Sequence, residues 1–205
     1  MKLKKLIFIA LAAVMVVGAA GCGSQQKADG DKSSSAAVSG SITGSGSSAL
    51  LPLVKEPADK FKIDNRGVSI SLKAGGSGTG LKQIADGSVD MGNSDVPAET
   101  KLSKDQVAKL VDHKVCVMTV ATIVNPDIGQ VVKSLTNQQL QDIFTAKITN
   151  WKEVGGPDEA IILVTRPQTS GTRALFKEYA INGAEESSNK SLETDNSGLL
   201  VQSVA

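Results

Sequence analysis

Apolar, strand-like runs alternate with helix-like stretches from residue 38 onward, and this alternation constrains the fold more than any other feature of the chain. Runs rich in β-branched residues predict strands at 38–43, 68–73, 89–92, 114–125 and 160–165. The stretches around them predict helices at 49–63, 80–86, 103–111, 138–144 and 171–181. Because strands that alternate with helices are typical of parallel sheets, the sequence predicts an α/β fold.

The run at 114–125 is longer than a typical strand and has two interpretations. It either crosses between two lobes or forms one long central strand of a single sheet. Cys116 lies inside this run, which predicts a buried free thiol that packs like a small apolar side chain. Pro57 falls within the first helix, where it is expected to kink or weaken that helix.

The first residues have the pattern of an export signal. Three lysines are followed by an apolar stretch at 6–17 and by small residues that end before Cys22. This junction resembles a bacterial lipobox, so residues 1–21 are predicted to be a signal peptide and Cys22 to be lipidated. The alternative is an ordinary cleaved signal with an incidental cysteine. Residues 22–37 are rich in Ser, Gly, Ala and Lys without apolar periodicity, and this composition predicts a flexible tether.

The charge balance argues against partners that need a basic surface. The whole chain has a formal net charge of +1, and removing residues 1–21 takes away three lysines and no acid, which leaves −2. The sequence has no basic tract and only six aromatic residues, so nucleic-acid binding has little support. An anion-binding protein of this charge must rely on local donors rather than on long-range attraction.

Three segments rich in Gly, Ser and Thr supply such local donors. They are found at 44–49, 75–80 and 166–173, each between a predicted strand and a predicted helix. Helix N-termini present free N–H groups and partial positive charge, and in open α/β sheets they gather at the ligand-binding edge. Gly78 is expected to let the backbone approach an anion closely. The candidate donors are the hydroxyl groups, backbone N–H groups and guanidinium of Ser47, Ser48, Ala49, Ser77, Arg166, Ser170, Gly171 and Thr172.

Asp95 indicates which anion these donors would bind. An ionised carboxylate only accepts hydrogen bonds, so it repels an oxyanion unless the anion carries a proton to donate. Phosphate at neutral pH carries such a proton and sulfate does not. An unpaired contact between two acceptors costs several kcal/mol, which corresponds to discrimination of about 10³-fold or more. The alternative is that Asp95 caps the turn that contains Pro97.

Other classes of function lack their motifs. The glycines at 75–80 have the spacing of a P-loop, but Leu81 stands where its lysine belongs, and they also miss the dinucleotide spacing. A hydrolase would need a nucleophile with a base, yet no G-x-S-x-G elbow occurs and His113 is remote in sequence from every serine motif. The cysteines have no metal-binding spacing, and we predict no metal, no cofactor and no enzymatic activity.

Several of these segments resemble the periplasmic phosphate-binding protein family, the PstS-like lipoproteins of phosphate ABC transporters. The matching segments are 44–53, 75–84, 90–97, 148–151 and 166–173. The resemblance implies a two-lobed, type II periplasmic-binding-protein-like fold that closes on phosphate, with lobe 1 at 38–118 and lobe 2 at 119–205. It implies a lipid-anchored protein outside the cytoplasmic membrane that delivers phosphate to the permease subunits of a transporter. By position, the phosphate ligands would be Ser48, Ala49, Ser77, Asp95, Arg166, Ser170, Gly171 and Thr172, with Ser47 as an addition.

The chain departs from this family at two points. Gln168 stands where several relatives carry an acidic residue that orients the arginine. The family also continues beyond residue 205 to complete the first lobe, so we interpret the chain as truncated at its C-terminus with lobe 1 incomplete. The alternative functions are binding of another tetrahedral oxyanion, such as sulfate, tungstate or molybdate, and hydrolysis of phosphate esters.

Overall fold

The structure is a computed structural model that describes residues 38–187 and 191–205. The predicted signal peptide at 1–21, the predicted lipidation site Cys22 and the predicted tether at 22–37 lie outside these described residues. No helix within the described ranges is long and apolar enough to span a membrane.

A three-stranded parallel sheet forms the first part of the structure. Its strands are β1 (Ser39–Gly46), β2 (Gly67–Ala74) and β3 (Met91–Asn93), in the order β2-β1-β3. The connections are α1 (Leu51–Asp64) and α2 (Ser77–Ala85), so each of the first two strands is followed by a helix. Their first turns therefore follow the carboxyl ends of β1 and β2, at one edge of the sheet.

A second parallel sheet pairs β4 (Leu163–Thr165) with β5 (Ser191–Glu193). The helices α5 (Asn137–Phe144), α6 (Gly171–Tyr179) and α7 (Ser197–Val204) belong to the same part of the chain. The ring centroids of Phe144 in α5 and Phe176 in α6 lie 4.6 Å apart, so these two side chains pack against each other. Parallel strands alternating with helices confirm the predicted α/β class, whereas the division into lobes at 118/119 stays a prediction.

Helix starts agree best with the sequence. Thr136, Ser170 and Asn196 are the N-cap residues of α5, α6 and α7, and each side chain accepts a hydrogen bond from a backbone N–H of the first turn. The start of α2 was predicted too late, because the helix begins at Ser77 rather than at residue 80. Gly76 precedes it with φ +83°, a conformation that favours glycine.

Several short elements differ from the sequence predictions. The helix expected at 103–111 is a single turn, α3 (Lys104–Val107), while α4 (Pro126–Val131) and β5 were not predicted. β4 is shorter than expected because Ala160 instead forms an antiparallel bridge with Asn150. Short 3-10 turns occupy Ala98–Thr100 and Trp151–Val154. Pro57 lies inside α1, and the helix continues across it.

The strand predicted at 114–125 is wrong. Residues 112–125 form no regular secondary structure, and the Val117 side chain is 99% exposed. Cys116 is a free thiol, but it is exposed rather than buried. A strand forms only where a neighbouring strand pairs its backbone, and within the described residues β3 pairs with β1 alone. Apolar composition without a partner strand therefore leaves this segment irregular.

Candidate functional site

Asp95 lies at the centre of a cluster of small hydroxyl groups. The Ser47 hydroxyl donates to one carboxylate oxygen and the Thr172 hydroxyl lies 3.2 Å from the other. The Asp95 backbone N–H donates to the Ser77 Oγ at 2.9 Å. Ser47 and Ser77 are almost completely buried, and Asp95 is half-buried. Three distant segments of the chain therefore meet at Asp95, two at its carboxylate and one at its backbone N–H.

The turn before α1 is organised by Ser47. Its Oγ accepts the backbone N–H of Ala49 at 3.1 Å and that of Leu50 at 3.0 Å, in addition to donating to Asp95. The sequence suggested that the Ala49 N–H points at an anion, and in this structure that N–H donates to Ser47. Leu50, which precedes α1, provides no side-chain cap, so Ser47 satisfies these first donors in its place.

Arg166 follows β4 directly and is buried, with 5% of its surface exposed. One terminal nitrogen donates to the Ser197 Oγ at 2.9 Å, and the other donates to the Ser48 Oγ at 3.0 Å and to the Asp195 carbonyl at 2.8 Å. Its Nε is buried without a hydrogen-bond partner in the described part of the chain. Burial lowers the pKa of Arg166, while the charges of Asp195 and Asp95 oppose that change. The guanidinium stays charged, since the ordinary pKa of an arginine is far above neutral pH.

Ser197 is a site residue that the sequence reasoning missed. Its hydroxyl lies 3.2 Å from that of Ser48, and its backbone N–H donates to the Ser48 Oγ at 3.3 Å. It is the first residue of α7, so the positive end of this helix lies beside the Arg166 guanidinium. The sequence Asn196-Ser197-Gly198 is typical of a helix start, but nothing in it connects Ser197 to Arg166.

A backbone hydrogen bond also joins two of the segments that form the cluster. The Gly78 N–H donates to the Thr169 carbonyl at 2.8 Å, and a Cβ on Gly76 would lie 2.8 Å from the same oxygen. A Cβ on Gly171 would lie only 2.2 Å from the Ser77 Oγ. The sequence predicted that Gly78 allows an anion to approach, whereas in this structure it allows another segment of the chain to approach.

The structure brings most of the predicted site residues into one neighbourhood. Ser47, Ser77 and Thr172 contact Asp95, Ser48 contacts Arg166, and Gly171 packs against Ser77. Ser170 is buried and its Oγ caps α6 by accepting the Arg173 N–H at 3.2 Å. Gln168 is exposed, and its carbonyl accepts a hydrogen bond from Lys101 at 3.3 Å.

The donors of this cluster suit an anion. The Arg166 cation and the N-termini of α6 and α7 supply positive charge, and the carboxylates whose charges act on Arg166 are those of Asp195 and Asp95. Hydroxyl groups can donate to such an anion, and Asp95 can accept a proton from it. The described residues contain no group of three or more His, Cys, Asp or Glu that could hold a metal ion. A neighbouring cavity of about 670 Å³ touches Arg166 and Thr172, but its lining is mainly apolar and unsuited to a small anion.

Sequence comparison finds similar proteins among phosphate-binding proteins. The chain is 50% identical over 189 residues to the phosphate-binding protein PstS of Bacillus subtilis, and the match covers 90% of this chain and 62% of that protein. It is 30% identical to the PstS of Staphylococcus saprophyticus, over 95% of this chain and 59% of that protein. The chain thus spans about three fifths of the length of these curated relatives.

Structural comparison gives the same fold. A solved structure from Clostridium perfringens, described as a substrate-binding protein of a phosphate ABC transporter with bound phosphate, matches with a TM-score of 0.61 and 32% identity. The match covers 80% of this chain and 66% of that one. The predicted periplasmic-binding-protein-like fold is therefore confirmed. A model of the PBP superfamily domain also matches residues 31–201, and the chain belongs to that superfamily.

Proposed function

We propose that this protein binds inorganic phosphate outside the cytoplasmic membrane and delivers it to an ABC transporter. The observation that carries the proposal is the meeting of Asp95 with Arg166 and the serine and threonine hydroxyl groups in one neighbourhood. Such a set binds an anion that carries a proton, since the donors stabilise its charge and Asp95 accepts its hydrogen. The names of the relatives support the same ligand.

The proposed ligand set is the one expected from the sequence, with one addition. Phosphate would compete with hydrogen bonds within the cluster, such as those from Arg166 to Ser48 and Ser197. Its ligands are Ser47, Ser48, Ala49, Ser77, Asp95, Arg166, Ser170, Gly171 and Thr172, to which the structure leads us to add Ser197. The buried Arg166 Nε is a further donor for the anion.

Binding without chemistry is favoured over hydrolysis of phosphate esters. The chain has one histidine, His113, and it is exposed on the irregular segment 112–125. Among the described residues, the site serines contact Asp95, Arg166, one another and backbone groups, and none of these contacts is to an imidazole, the usual base that activates a serine nucleophile.

Selectivity for phosphate tests the proposal. In calorimetric titrations of the intact chain we expect phosphate to bind and sulfate to bind about 10³-fold more weakly, because sulfate has no proton for Asp95. Asp95→Asn keeps the shape of the side chain and adds an N–H donor. It should therefore weaken phosphate binding and reduce the difference in affinity between phosphate and sulfate. Equal affinity for both anions in the unchanged protein would contradict the proposal and favour a general oxyanion site, which tungstate and molybdate would test further.

The anchoring of the protein is part of the same proposal. Export by residues 1–21 and lipidation of Cys22 would hold the phosphate site at the outer face of the membrane, within reach of the permease subunits. Metabolic labelling with a fatty acid should mark the unchanged protein and not the Cys22→Ser variant. Label in both proteins would contradict lipidation at Cys22.

A further inference from the structure

Arg173 joins four parts of the chain behind the proposed phosphate site. It lies in the first turn of α6, where its backbone N–H donates to the Ser170 Oγ. Its side chain donates to the Arg166 carbonyl, and its Nε forms an ion pair with Glu186 at 2.9 Å. A second carboxylate, that of Glu193 in β5, lies 3.8 Å from a terminal nitrogen.

Arg173 and Glu186 are half-buried residues, and their side chains are largely shielded from solvent. The side chain of Arg173 is 13% exposed and that of Glu186 is 5% exposed. A cation in the first turn of a helix is disfavoured by the positive end of the helix dipole, so the helix dipole does not account for an arginine at this position. A buried pair also carries a desolvation cost that its attraction only partly offsets, so it is weak evidence for a role in stability.

The hydrogen bond from Arg173 to the Arg166 carbonyl connects the Arg173–Glu186 pair to the proposed phosphate site. Arg166 lies one residue beyond the β4–β5 ladder, which ends at Thr165 and Glu193. A backbone hydrogen bond from the Thr194 N–H to the Thr165 carbonyl, at 3.0 Å, holds the residue before Arg166, and Arg173 holds the Arg166 carbonyl itself. The Arg173 guanidinium donates a hydrogen bond to the Arg166 carbonyl and attracts Glu186 by charge, since Glu186 Oε2 has no hydrogen-bond partner among the described residues.

We propose that the Arg173–Glu186 pair is a positioning device that aligns Arg166 with the anion site. Neither residue touches the anion. Glu186 fixes the Arg173 side chain, Arg173 fixes the Arg166 backbone, and the Arg166 guanidinium then reaches Ser48 and Ser197. This inference rests on the proposed phosphate binding and assigns part of the affinity to residues outside the ligand set.

Substitution of two adjacent glutamates by glutamine provides the test. Glu186→Gln removes the buried charge, and Glu185→Gln removes the exposed partner of Lys177 as a matched control. In calorimetric titrations with inorganic phosphate, Glu186→Gln should raise the Kd about 10-fold, the order found when a group that orients a ligand is removed. Glu185→Gln should leave the Kd within about 2-fold. A Kd for Glu186→Gln that equals that of Glu185→Gln would overturn the proposal.

The pH dependence separates positioning from a purely structural role. Burial raises the pKa of Glu186, Glu185 and Glu193 raise it further, and Arg173 and Lys177 lower it. Because its pKa is raised, Glu186 takes up a proton at a higher pH than an ordinary glutamate does. The ratio of the Kd of Glu186→Gln to that of the unchanged protein should therefore fall towards one as the pH is lowered and Glu186 becomes neutral. A constant ratio, or a lower Tm without any change in Kd, would overturn the proposal.

A ligand-free measurement keeps this inference separate from the proposed function. The Nε–H proton of buried Arg166 should exchange slowly with water in NMR spectra, and in Glu186→Gln this exchange should accelerate. Where Glu186→Gln does not fold, Arg173→Lys serves instead, since it keeps the charge and loses the planar geometry. Absence of phosphate binding by the unchanged protein would contradict the proposed function alone. Equal Arg166 exchange in the unchanged protein and the variant would overturn the positioning role alone.

Discussion

The cluster around Asp95 and Arg166 and the segment 112–125 show opposite relations between polarity and burial. In the cluster, polar side chains such as Ser47, Ser77 and Arg166 are buried and hydrogen-bonded. In the segment, apolar side chains such as Val117 are exposed. Burial of polar groups has a cost unless their hydrogen bonds are satisfied, so the cluster is organised by specific partners. Within the described residues no strand pairs with the segment, and its apolar surface alone does not produce regular secondary structure.

The largest expected effect on this comparison comes from Arg166→Ala, which removes the cation of the cluster. We expect phosphate affinity to fall about 10²–10³-fold, roughly 3–4 kcal/mol, because the anion would lose charged donors in a buried site. Arg66→Ala, on an exposed arginine, is the control and should leave the Kd unchanged. Calorimetric titration measures both. The Tm of ligand-free Arg166→Ala should stay close to that of the unchanged protein. A large fall in this Tm would show that Arg166 supports the fold rather than ligand binding.

A smaller effect is expected from Gly171→Ala, which tests the close packing of the cluster. The added Cβ would lie 2.2 Å from the Ser77 Oγ and 2.8 Å from the Asp95 Cβ, so the surrounding chain has to shift. We expect a loss of about 1–3 kcal/mol in the free energy of unfolding and weaker phosphate binding. Gly129→Ala in α4 meets only an ordinary contact at 3.5 Å and should cost nothing. Denaturant titration compares the two variants, and equal stability would mean that the cluster is loosely packed.

The smallest effect is expected in the irregular segment, where Val117→Ala should change the free energy of unfolding by less than about 0.5 kcal/mol. The same type of truncation at Ile143, which is 3% exposed in α5, should cost about 2–5 kcal/mol. Denaturant titration of this chain measures both. A loss at Val117 that approaches the loss at Ile143 would mean that the segment is packed, and the comparison with the cluster would then fail.

The same contrast explains which features could be predicted from the sequence. The caps at Thr136, Ser170 and Asn196 depend on one side chain and the next few backbone N–H groups, so a short stretch of sequence contains the whole interaction. A strand depends on a neighbour that is distant in sequence. The apolar run at 114–125 could not reveal that its neighbour is missing within the described chain.

The candidate site shows the same difference between features with a local sequence pattern and features that depend on distant contacts. Asp95 and the Gly, Ser and Thr segments have a local pattern, and the structure brings their side chains together. Ser197 and the Arg173–Glu186 pair lack such a pattern. They join the site through contacts with Arg166 over long sequence separations, and only folding reveals these contacts.

The contact between Gly78 and Thr169 has a consequence for substitution experiments. The hydrogen bond joins two main chains, and so no side-chain replacement at residue 169 removes it. The glycines on the opposite side are sensitive, because a Cβ on Gly76 or Gly78 would approach the Thr169 carbonyl to 2.8 or 3.3 Å. In a library of all single substitutions, residue 169 should therefore accept many amino acids while residue 76 accepts few. The library would therefore show the contact only as a low tolerance for substitution at residue 76. A search for pairs of residues that vary together would not find it.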